Sequence, residues 1–192
     1  MQDVIVGIQA RMGSSRLPGK VMLDLAGLPM IRRVWDACEG PWERRVLVSE
    51  ADSSRDLRVY LTTHEMAWES GSELDVLSRY VALAKRRKPL VLVRVCADAP
   101  FLNKLWIADA VNECLRASPV FIPGALHAGS WYEWVACGDN CAKEDREHAG
   151  AAWFEKYGLT MERVPPDYRM VNTEADLAEA RKRLESPRTG EP

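Results

Sequence analysis

Short apolar segments alternate with amphipathic segments along the first two thirds of the chain. Runs rich in β-branched and apolar residues predict strands at residues 4–10, 45–49, 66–69 and 90–95. Apolar residues at helical spacing predict a long helix capped by Ser72, with Leu74 on its apolar side, and further helices at residues 29–38, 52–63 and 103–116. This alternation predicts an α/β fold with a parallel sheet, in which ligands bind at the carboxyl ends of the strands.

The last third of the chain has a less regular pattern. The elements predicted there are an aromatic-rich strand, a helix, a short strand and a closing helix, at residues 129–137, 144–157, 168–171 and 173–184. We expect a single domain over residues 1–186, followed by a frayed polar tail at residues 187–192.

Composition and charge exclude several classes of function. The chain has 192 residues, of which 47% are hydrophobic and 28% charged, and its net charge at pH 7 is −2. Without an excess of basic residues we expect no nucleic-acid partner, and no apolar run approaches the roughly 18 residues of a membrane span. The cysteines number five, and the first residues do not form a signal-peptide pattern. We therefore expect reduced thiols in a cytoplasmic protein.

The most informative segment follows the first predicted strand and reads QARMGSSRLPGK, from Gln9 to Lys20. Its glycines allow backbone N–H groups to approach an anion, its arginines can pair with phosphate oxygens, and its lysine adds a compact positive charge. The spacing fits neither a Walker P-loop nor a GxGxxG motif. We interpret the segment as a polyphosphate site, with a solvated basic turn as the alternative.

The stretch QARMGSSRLPGKVMLDLAGLPMIRRV resembles the opening motif of the cytidylyltransferase family, which includes CMP-sugar synthetases and spore-coat polysaccharide cytidylyltransferases. Later stretches resemble further motifs of the spore-coat branch in the same order: GSELDVLSRY, VRVCADAPFL, DREH and VNTEADLAEARKRL. The resemblance implies a three-layer α/β/α sandwich of the nucleotide-diphospho-sugar transferase type, with a mostly parallel mixed sheet. It also leads us to expect a homodimer.

The resemblance implies an enzyme that transfers CMP from CTP to an acceptor oxygen and releases pyrophosphate. Its catalytic residues would be Arg11, Arg16, Lys20 and Asp98. The residues expected to bind the nucleotide are Gln9, Ala10, Arg11, Gly13, Ser14, Ser15, Arg16, Lys20, Ser49 and Ser72. Two alternatives remain open: the same fold acting on another nucleoside triphosphate, and a nucleotide-binding homologue that has lost turnover.

The same resemblance implies a Mg²⁺ site formed by Asp98 and Asn172. Asp98 matches an aspartate that binds the ion in the family, whereas Asn172 stands where the family usually has a second aspartate. The site would therefore carry one negative charge fewer than usual. The alternative for Asp98 is that it caps the helix predicted to begin near Asn103.

Three residues are expected to bind the acceptor. Trp131 and Glu133 lie in the segment that corresponds to an acceptor motif of the family, and the predicted strand places both on one face of the sheet. Arg146 is the third, because its guanidinium can pair with a carboxylate or a phosphate. We expect a sugar acid or another small anionic acceptor, with a phosphonate as the alternative.

Overall fold

The computed structural model describes residues 3–117, 119–122, 126–141, 149–161 and 170–185. The strands of these ranges are β1 (Val4–Ala10), β2 (Asp24–Leu25), β3 (Leu28–Pro29), β4 (Glu43–Ser49), β5 (Trp68–Gly71), β6 (Val91–Cys96), β7 (Val120–Ile122), β8 (Leu126–Gly129) and β9 (Leu159–Thr160). The α-helices are α1 (Met30–Ala37), α2 (Arg55–Thr63), α3 (Val76–Arg87), α4 (Lys104–Ala117), α5 (Trp131–Asn140), α6 (Ala149–Tyr157) and α7 (Glu174–Glu185).

Seven of these strands form one mixed sheet in the order β5-β4-β1-β6-β8-β7-β9. The neighbours β5, β4, β1 and β6 are parallel, whereas β8 is antiparallel to β6 and β7. Gln9 pairs with Leu47 of β4 on one side and with Cys96 of β6 on the other, so these three strands end at the same edge. This edge, called the carboxyl edge below, is where the predicted site residues are expected. The predicted mostly parallel sheet is confirmed.

Helices cover both faces of the sheet. One apolar cluster lies between the sheet and helices α1, α2 and α4, and it includes Leu57 and Ile107. A second cluster lies between the other face and helices α3, α5 and α6, and it includes Tyr80 and Phe154. The predicted α/β/α sandwich is therefore confirmed. None of the helices in the described ranges combines the length and the apolar character that a membrane span requires.

The predicted strand at residues 129–137 is wrong, because α5 occupies most of this segment. Ser130 and Glu133 form a capping box, in which the Glu133 carboxylate accepts from both the N–H and the hydroxyl of Ser130. Trp134 and Cys137, three residues apart, are buried in the same apolar cluster as α3. The helix satisfies its first N–H groups and buries one apolar face at the same time, which outweighs the strand preference of the aromatic residues.

Other boundaries differ from the prediction by a few residues. Helix α3 begins later than predicted because Asp75, and not Ser72, is its cap and accepts from the Ser78 N–H at 2.9 Å. Leu74 therefore precedes the helix and is exposed. Strand β5 begins two residues later than the predicted strand at residues 66–69.

Three predicted elements lie partly or wholly outside the described residues. These are the first part of the helix at residues 144–157, the first half of the strand at residues 168–171, and the tail at residues 187–192. Met170 and Val171, which are described, are not in a strand. Helices α6 and α7 confirm the remainder of the helices predicted in this part of the chain.

Candidate active site

The loop predicted to bind phosphate leaves the carboxyl edge directly after β1. Its turn is closed by hydrogen bonds to the Met12 carbonyl from the N–H groups of Ser14 (3.0 Å) and Gly19 (2.9 Å). Gly19 has a φ of 69°, in the left-handed region that glycine adopts most easily. Leu17 is buried in an apolar cluster together with Leu177 of α7. A turn closed and anchored in this way argues against the alternative of a solvated basic loop.

Lys20 lies at the centre of a cluster of polar groups. Its Nζ forms an ion pair with Asp98 Oδ2 and donates to Asn172 Oδ1 (3.0 Å) and to the Val171 carbonyl (3.2 Å). Arg16 Nη2 donates to the same Asn172 oxygen at 3.1 Å. The Lys20 side chain is 10% exposed and that of Asp98 is 16% exposed. The structure therefore brings together Arg16, Lys20, Asp98 and Asn172, which the family resemblance assigned to one site.

Backbone hydrogen bonds hold Asp98 and Asn172 beside each other. The Val171 N–H donates to the Asp98 carbonyl at 2.8 Å, which places the residue after Val171 next to Asp98. Thr173 then begins the cap of α7, where Asp176 Oδ2 accepts from the N–H groups of Asn172 (3.0 Å) and Thr173 (2.8 Å). Supporting bonds of this kind fix the orientation of groups that contact a ligand.

Asp98 is not a helix cap. The beginning of α4 is capped by Asn103, whose Oδ1 accepts from the Leu105 N–H at 2.9 Å. The second oxygen of Asp98, Oδ1, is buried and has no hydrogen-bond partner among the described residues. A buried carboxylate oxygen is costly without a partner, so this atom is available to a cation or to a donor on a ligand. Within the described ranges no group of three His, Cys, Asp or Glu residues could hold a metal by itself.

The middle of the loop lies close to the turn that follows β5. A Cβ atom at Gly13 would lie 2.9 Å from Glu73 Oε1, so the end of the Glu73 side chain lies against the turn and would have to shift if position 13 carried a larger residue. Ser14 Oγ accepts from the Leu17 N–H at 3.3 Å, which stabilises the turn. Gly13 and Ser15 are exposed. The Ser15 hydroxyl and the backbone of this turn therefore face solvent at the carboxyl edge.

Arg79, which the sequence analysis did not select, ties the strand ends to the turn after β5. It is 5% exposed. Its Nη1 donates to the carbonyls of Ala10 (3.4 Å) and Leu47 (3.2 Å), and its Nε donates to the Ser72 carbonyl (2.7 Å). The pKa of Arg79 is lowered, mainly by burial and further by the positive charge of nearby Arg11. Arg79 thus fixes the end of β1, from which Arg11 and the loop project.

Ser49 and Ser72 lie at the carboxyl edge, as expected of nucleotide-binding residues. Their hydroxyls are used within the chain, since Ser49 Oγ accepts from the Ala51 N–H (3.2 Å) and Ser72 Oγ accepts from the Asp75 N–H (3.1 Å). Both side chains therefore stabilise turns at this edge. Their contact with a nucleotide stays a prediction.

Gln9 forms a hydrogen bond with Arg94, a residue that the sequence analysis missed. Its Oε1 accepts from Arg94 Nε at 2.9 Å, between the neighbouring strands β1 and β6. Arg94 is the one charged residue in the apolar run LVLVRV at residues 90–95. A charge inside a strand that is buried on both faces is the signal that could have found it.

Trp131 and Glu133 lie at the opposite edge of the sheet from Asp98. Gly129, at the end of β8, pairs with Leu92 near the start of β6, and the Trp131 N–H donates to the Pro89 carbonyl. Position 98 is six positions after position 92, which corresponds to roughly 20 Å of extended chain. Glu133 is buried in the capping box of α5.

The prediction that Trp131 and Glu133 form the acceptor pocket together with this site is therefore corrected. The physical reason is the antiparallel direction of β8, which carries the chain away from the carboxyl edge. Arg146, the third predicted acceptor residue, lies outside the described residues.

Because of His127, we expect the stability of the fold to decrease at acidic pH. It is packed against the rings of Phe121 and Phe154, and its pKa is lowered to about 3, mainly by burial and further by the positive charge of Arg94. Histidine in an unfolded chain titrates near pH 6.5, so between about pH 6.5 and pH 3 only the unfolded chain binds this proton. We expect the free energy of unfolding to decrease as the pH falls through this window, with a contribution from His127 of about 3 kcal/mol at pH 4.

Urea denaturation at pH 7 and pH 4 measures this contribution. The His127→Gln variant should lose less stability between the two pH values than the parent, because glutamine does not titrate. The exposed His64 provides a matched control, and His64→Gln should lose as much stability as the parent. An equal loss in His127→Gln and the parent would contradict the prediction.

Comparison with known sequences gives a match over most of the chain. A family model described as cytidylyltransferase matches residues 5–147. The 3-deoxy-manno-octulosonate cytidylyltransferase of Chromohalobacter salexigens is 38% identical over 119 residues, which cover 58% of this chain and 45% of that protein. The spore coat polysaccharide biosynthesis protein SpsF of Bacillus subtilis is 33% identical over 110 residues, covering 54% of this chain and 46% of that protein. The chain thus spans a little under half the length of these two relatives.

Solved structures share the fold over almost the whole chain. A cytidylyltransferase from Leptospira borgpetersenii superposes with a TM-score of 0.81 at 19% identity, covering 94% of this chain and 86% of that one. A CMP:2-keto-3-deoxy-manno-octonic acid synthetase complexed with CTP superposes with a TM-score of 0.73 at 16% identity, covering 95% of this chain and 98% of that one. Both likenesses confirm the nucleotide-diphospho-sugar transferase type of sandwich.

Proposed function

The chain belongs to the cytidylyltransferase family, and from this premise we propose that it transfers CMP from CTP to a sugar acid or another small anionic acceptor. The observation that carries the proposal is the meeting of Lys20 and Arg16 with Asp98 and Asn172 at the carboxyl edge. Cations on an anchored loop, opposite a carboxylate with one unpartnered oxygen, form an arrangement suited to a triphosphate and its counter-ion. The relatives named for 3-deoxy-manno-octulosonate support a sugar acid as the acceptor.

In the proposed reaction a hydroxyl oxygen of the acceptor attacks the α-phosphorus of CTP. A new P–O bond forms, the bond from the α-phosphorus to the bridging oxygen of the β-phosphate breaks, and pyrophosphate leaves with the electron pair. The hydroxyl proton passes to solvent. The protein contributes positioning and charge neutralisation, because transfers at phosphorus need little covalent chemistry from the enzyme. Arg11, Arg16 and Lys20 bind the phosphate oxygens in this account.

The residues at the site fit a Mg²⁺ ion that enters with the nucleotide. We propose Asp98 as its protein ligand, because Oδ1 is buried and has no partner among the described residues. Magnesium needs only one or two carboxylates when phosphates and water supply its other oxygen ligands. Asn172 Oδ1 is adjacent but accepts hydrogen bonds from Lys20 and Arg16, and as a neutral amide it is the weaker ligand. The bound ion would neutralise charge on the phosphates.

Asn172 also favours a second candidate function, a nucleotide-binding homologue without turnover. With an amide in place of a second carboxylate, the site has one negative charge fewer to hold a divalent ion. The phosphate loop and its cations would still bind a triphosphate.

Two measurements test the proposed function. Isothermal titration with the four nucleoside triphosphates and Mg²⁺ should show CTP binding tighter than the others by about 10-fold or more, a difference of at least 1.4 kcal/mol. A pyrophosphate-release assay with CTP and a panel of sugar acids should then give turnover that depends on both substrates. Tight CTP binding without pyrophosphate release would favour the inactive homologue. Tighter binding of another nucleoside triphosphate would mean that this nucleotide, and not CTP, is the donor. If the protein bound none of the four, the proposal would be contradicted.

A further inference from the structure

Arg94 is a buried cation with no carboxylate partner among the residues that the structure describes. It is 9% exposed, and its Nε donates to the neutral Gln9 side chain at 2.9 Å. Among the described residues no Asp or Glu forms an ion pair with its guanidinium. Removing a charge from water costs several kcal/mol, so buried cations in proteins are normally paired with an anion. The anion that pairs with Arg94 is missing from the described part of the chain.

The groups that surround the Arg94 guanidinium do not neutralise its positive charge. Its Cζ lies 5.9 Å from the centre of the Tyr80 ring, and the Tyr80 hydroxyl donates to the carbonyl of Gly7 (3.1 Å), the residue paired with Arg94 across the sheet. On α6, a Cβ at Gly150 would lie 3.8 Å from Nη1. His127 is neutral at pH 7, because burial lowers its pKa to about 3. Each of these neighbours is uncharged.

Arg94 lies on the same strand as the candidate catalytic carboxylate. Side chains alternate along β6, so Arg94 and Cys96 share the face of the sheet that packs against α3, α5 and α6. Asp98 is four positions after Arg94, which is at most about 14 Å of chain. The Cα atom of Arg94 therefore lies within this distance of the residue that is proposed to hold the ion.

We propose that Arg94 binds the carboxylate of the acceptor, with Gln9 as the residue that positions its guanidinium. Because Gln9 accepts from Nε, the pairing uses the two Nη groups, whose fork matches the two oxygens of a carboxylate. The inference rests on the proposed function and narrows it, since the acceptor is then a carboxylate-bearing sugar and neither a neutral sugar nor a phosphonate. Arg94 would then bind the acceptor, a role that Trp131 and Glu133 cannot have at the opposite edge of the sheet.

The test compares acids with their methyl esters, which lack the charge and keep the rest of the molecule. Pyrophosphate release is measured for the parent, Arg94→Gln and Arg94→Lys with CTP, using 3-deoxy-manno-octulosonate and other 2-keto sugar acids, each beside its methyl ester. The parent should have a KM for the acid about 100-fold below that for the ester. Arg94→Gln should lose this preference while its Kd for CTP stays unchanged, and Arg94→Lys should retain part of it. The exposed Arg116, changed to Gln, is the matched control.

A merely structural role for Arg94 predicts a different pattern. Rates with acid and ester would then fall together in Arg94→Gln, and the parent's preference for the acid would survive. That result, or a parent that does not distinguish acid from ester, overturns the inference. A parent that binds CTP and uses only neutral or phosphonate acceptors overturns it as well, while the proposed nucleotide site stands. Absence of CTP binding in the parent is instead the failure of the proposed function.

Discussion

Replacing Lys20 with methionine is expected to lower the rate of CMP transfer by about 10²–10³-fold. Methionine keeps most of the length of the side chain but removes the positive charge that, in the proposed site, faces both the phosphates and Asp98. Steady-state kinetics with CTP and an acceptor measure the loss. Lys85, an exposed residue in the last turn of α3, is a matched control, and Lys85→Met should keep the parent rate.

The same substitution is expected to destabilise the fold, which allows catalysis and folding to be separated. Without Lys20, Asp98 is a mostly buried carboxylate without its ion-pair partner, and breaking a buried pair from one side costs on the order of 3 kcal/mol. The double variant Lys20→Met, Asp98→Asn removes both charges and should recover much of that stability without recovering activity. Recovery of activity together with stability would mean that Lys20 acts only on the fold.

Asp98→Asn is the second change with a large expected effect, a loss of about 10³-fold in turnover together with loss of the dependence on Mg²⁺. The substitution keeps the shape of the side chain and removes the charge that is proposed to hold the ion. Lys20 retains its contacts with Asn172 and Val171 but loses its counter-ion, so a loss of stability similar to that of Lys20→Met is expected. Turnover is measured as a function of Mg²⁺ concentration. An Asp98→Asn variant with the parent's rate and Mg²⁺ dependence would contradict the metal assignment.

Asn172→Asp is the counterpart of this variant, because it adds the second carboxylate that the family resemblance leads us to expect at this position. We expect this variant to bind Mg²⁺ more tightly than the parent, since a second carboxylate lies beside Asp98. If the parent binds CTP without turnover, this variant should gain activity. Should it bind Mg²⁺ no more tightly than the parent, the argument that a ligand is missing fails.

The strands and the loop at residues 11–20 are features that the local sequence determines. Residues 4–10 form a buried strand because they are almost all apolar, and the loop after them carries glycines and cations within a few positions of one another. The pairs that complete the site are different, since Lys20 meets Asp98 across 78 positions and Asn172 across 152. No periodicity predicts such contacts. Only the family resemblance indicated them, and the structure confirms that these residues meet.

The position of the predicted acceptor residues, Trp131 and Glu133, could not be predicted from the local sequence pattern. The position of Trp131 and Glu133 depends on the direction of β8, which is antiparallel in an otherwise mostly parallel sheet. Alternating aromatic residues suggested a strand, whereas the spacing of Ser130 and Glu133 was a capping-box signal for a helix. Arg94 lies in a run whose apolar pattern predicts a buried strand, and that pattern alone assigns no function to the charge that interrupts it.

A structure of the protein with CTP and Mg²⁺ bound tests the central claim most directly. The account predicts the triphosphate on the turn formed by residues 11–20, with Arg16 and Lys20 within hydrogen-bond distance of phosphate oxygens and Mg²⁺ on Asp98 Oδ1. A nucleotide bound elsewhere, with the Lys20–Asp98 pair unchanged and no ion beside it, would contradict the account.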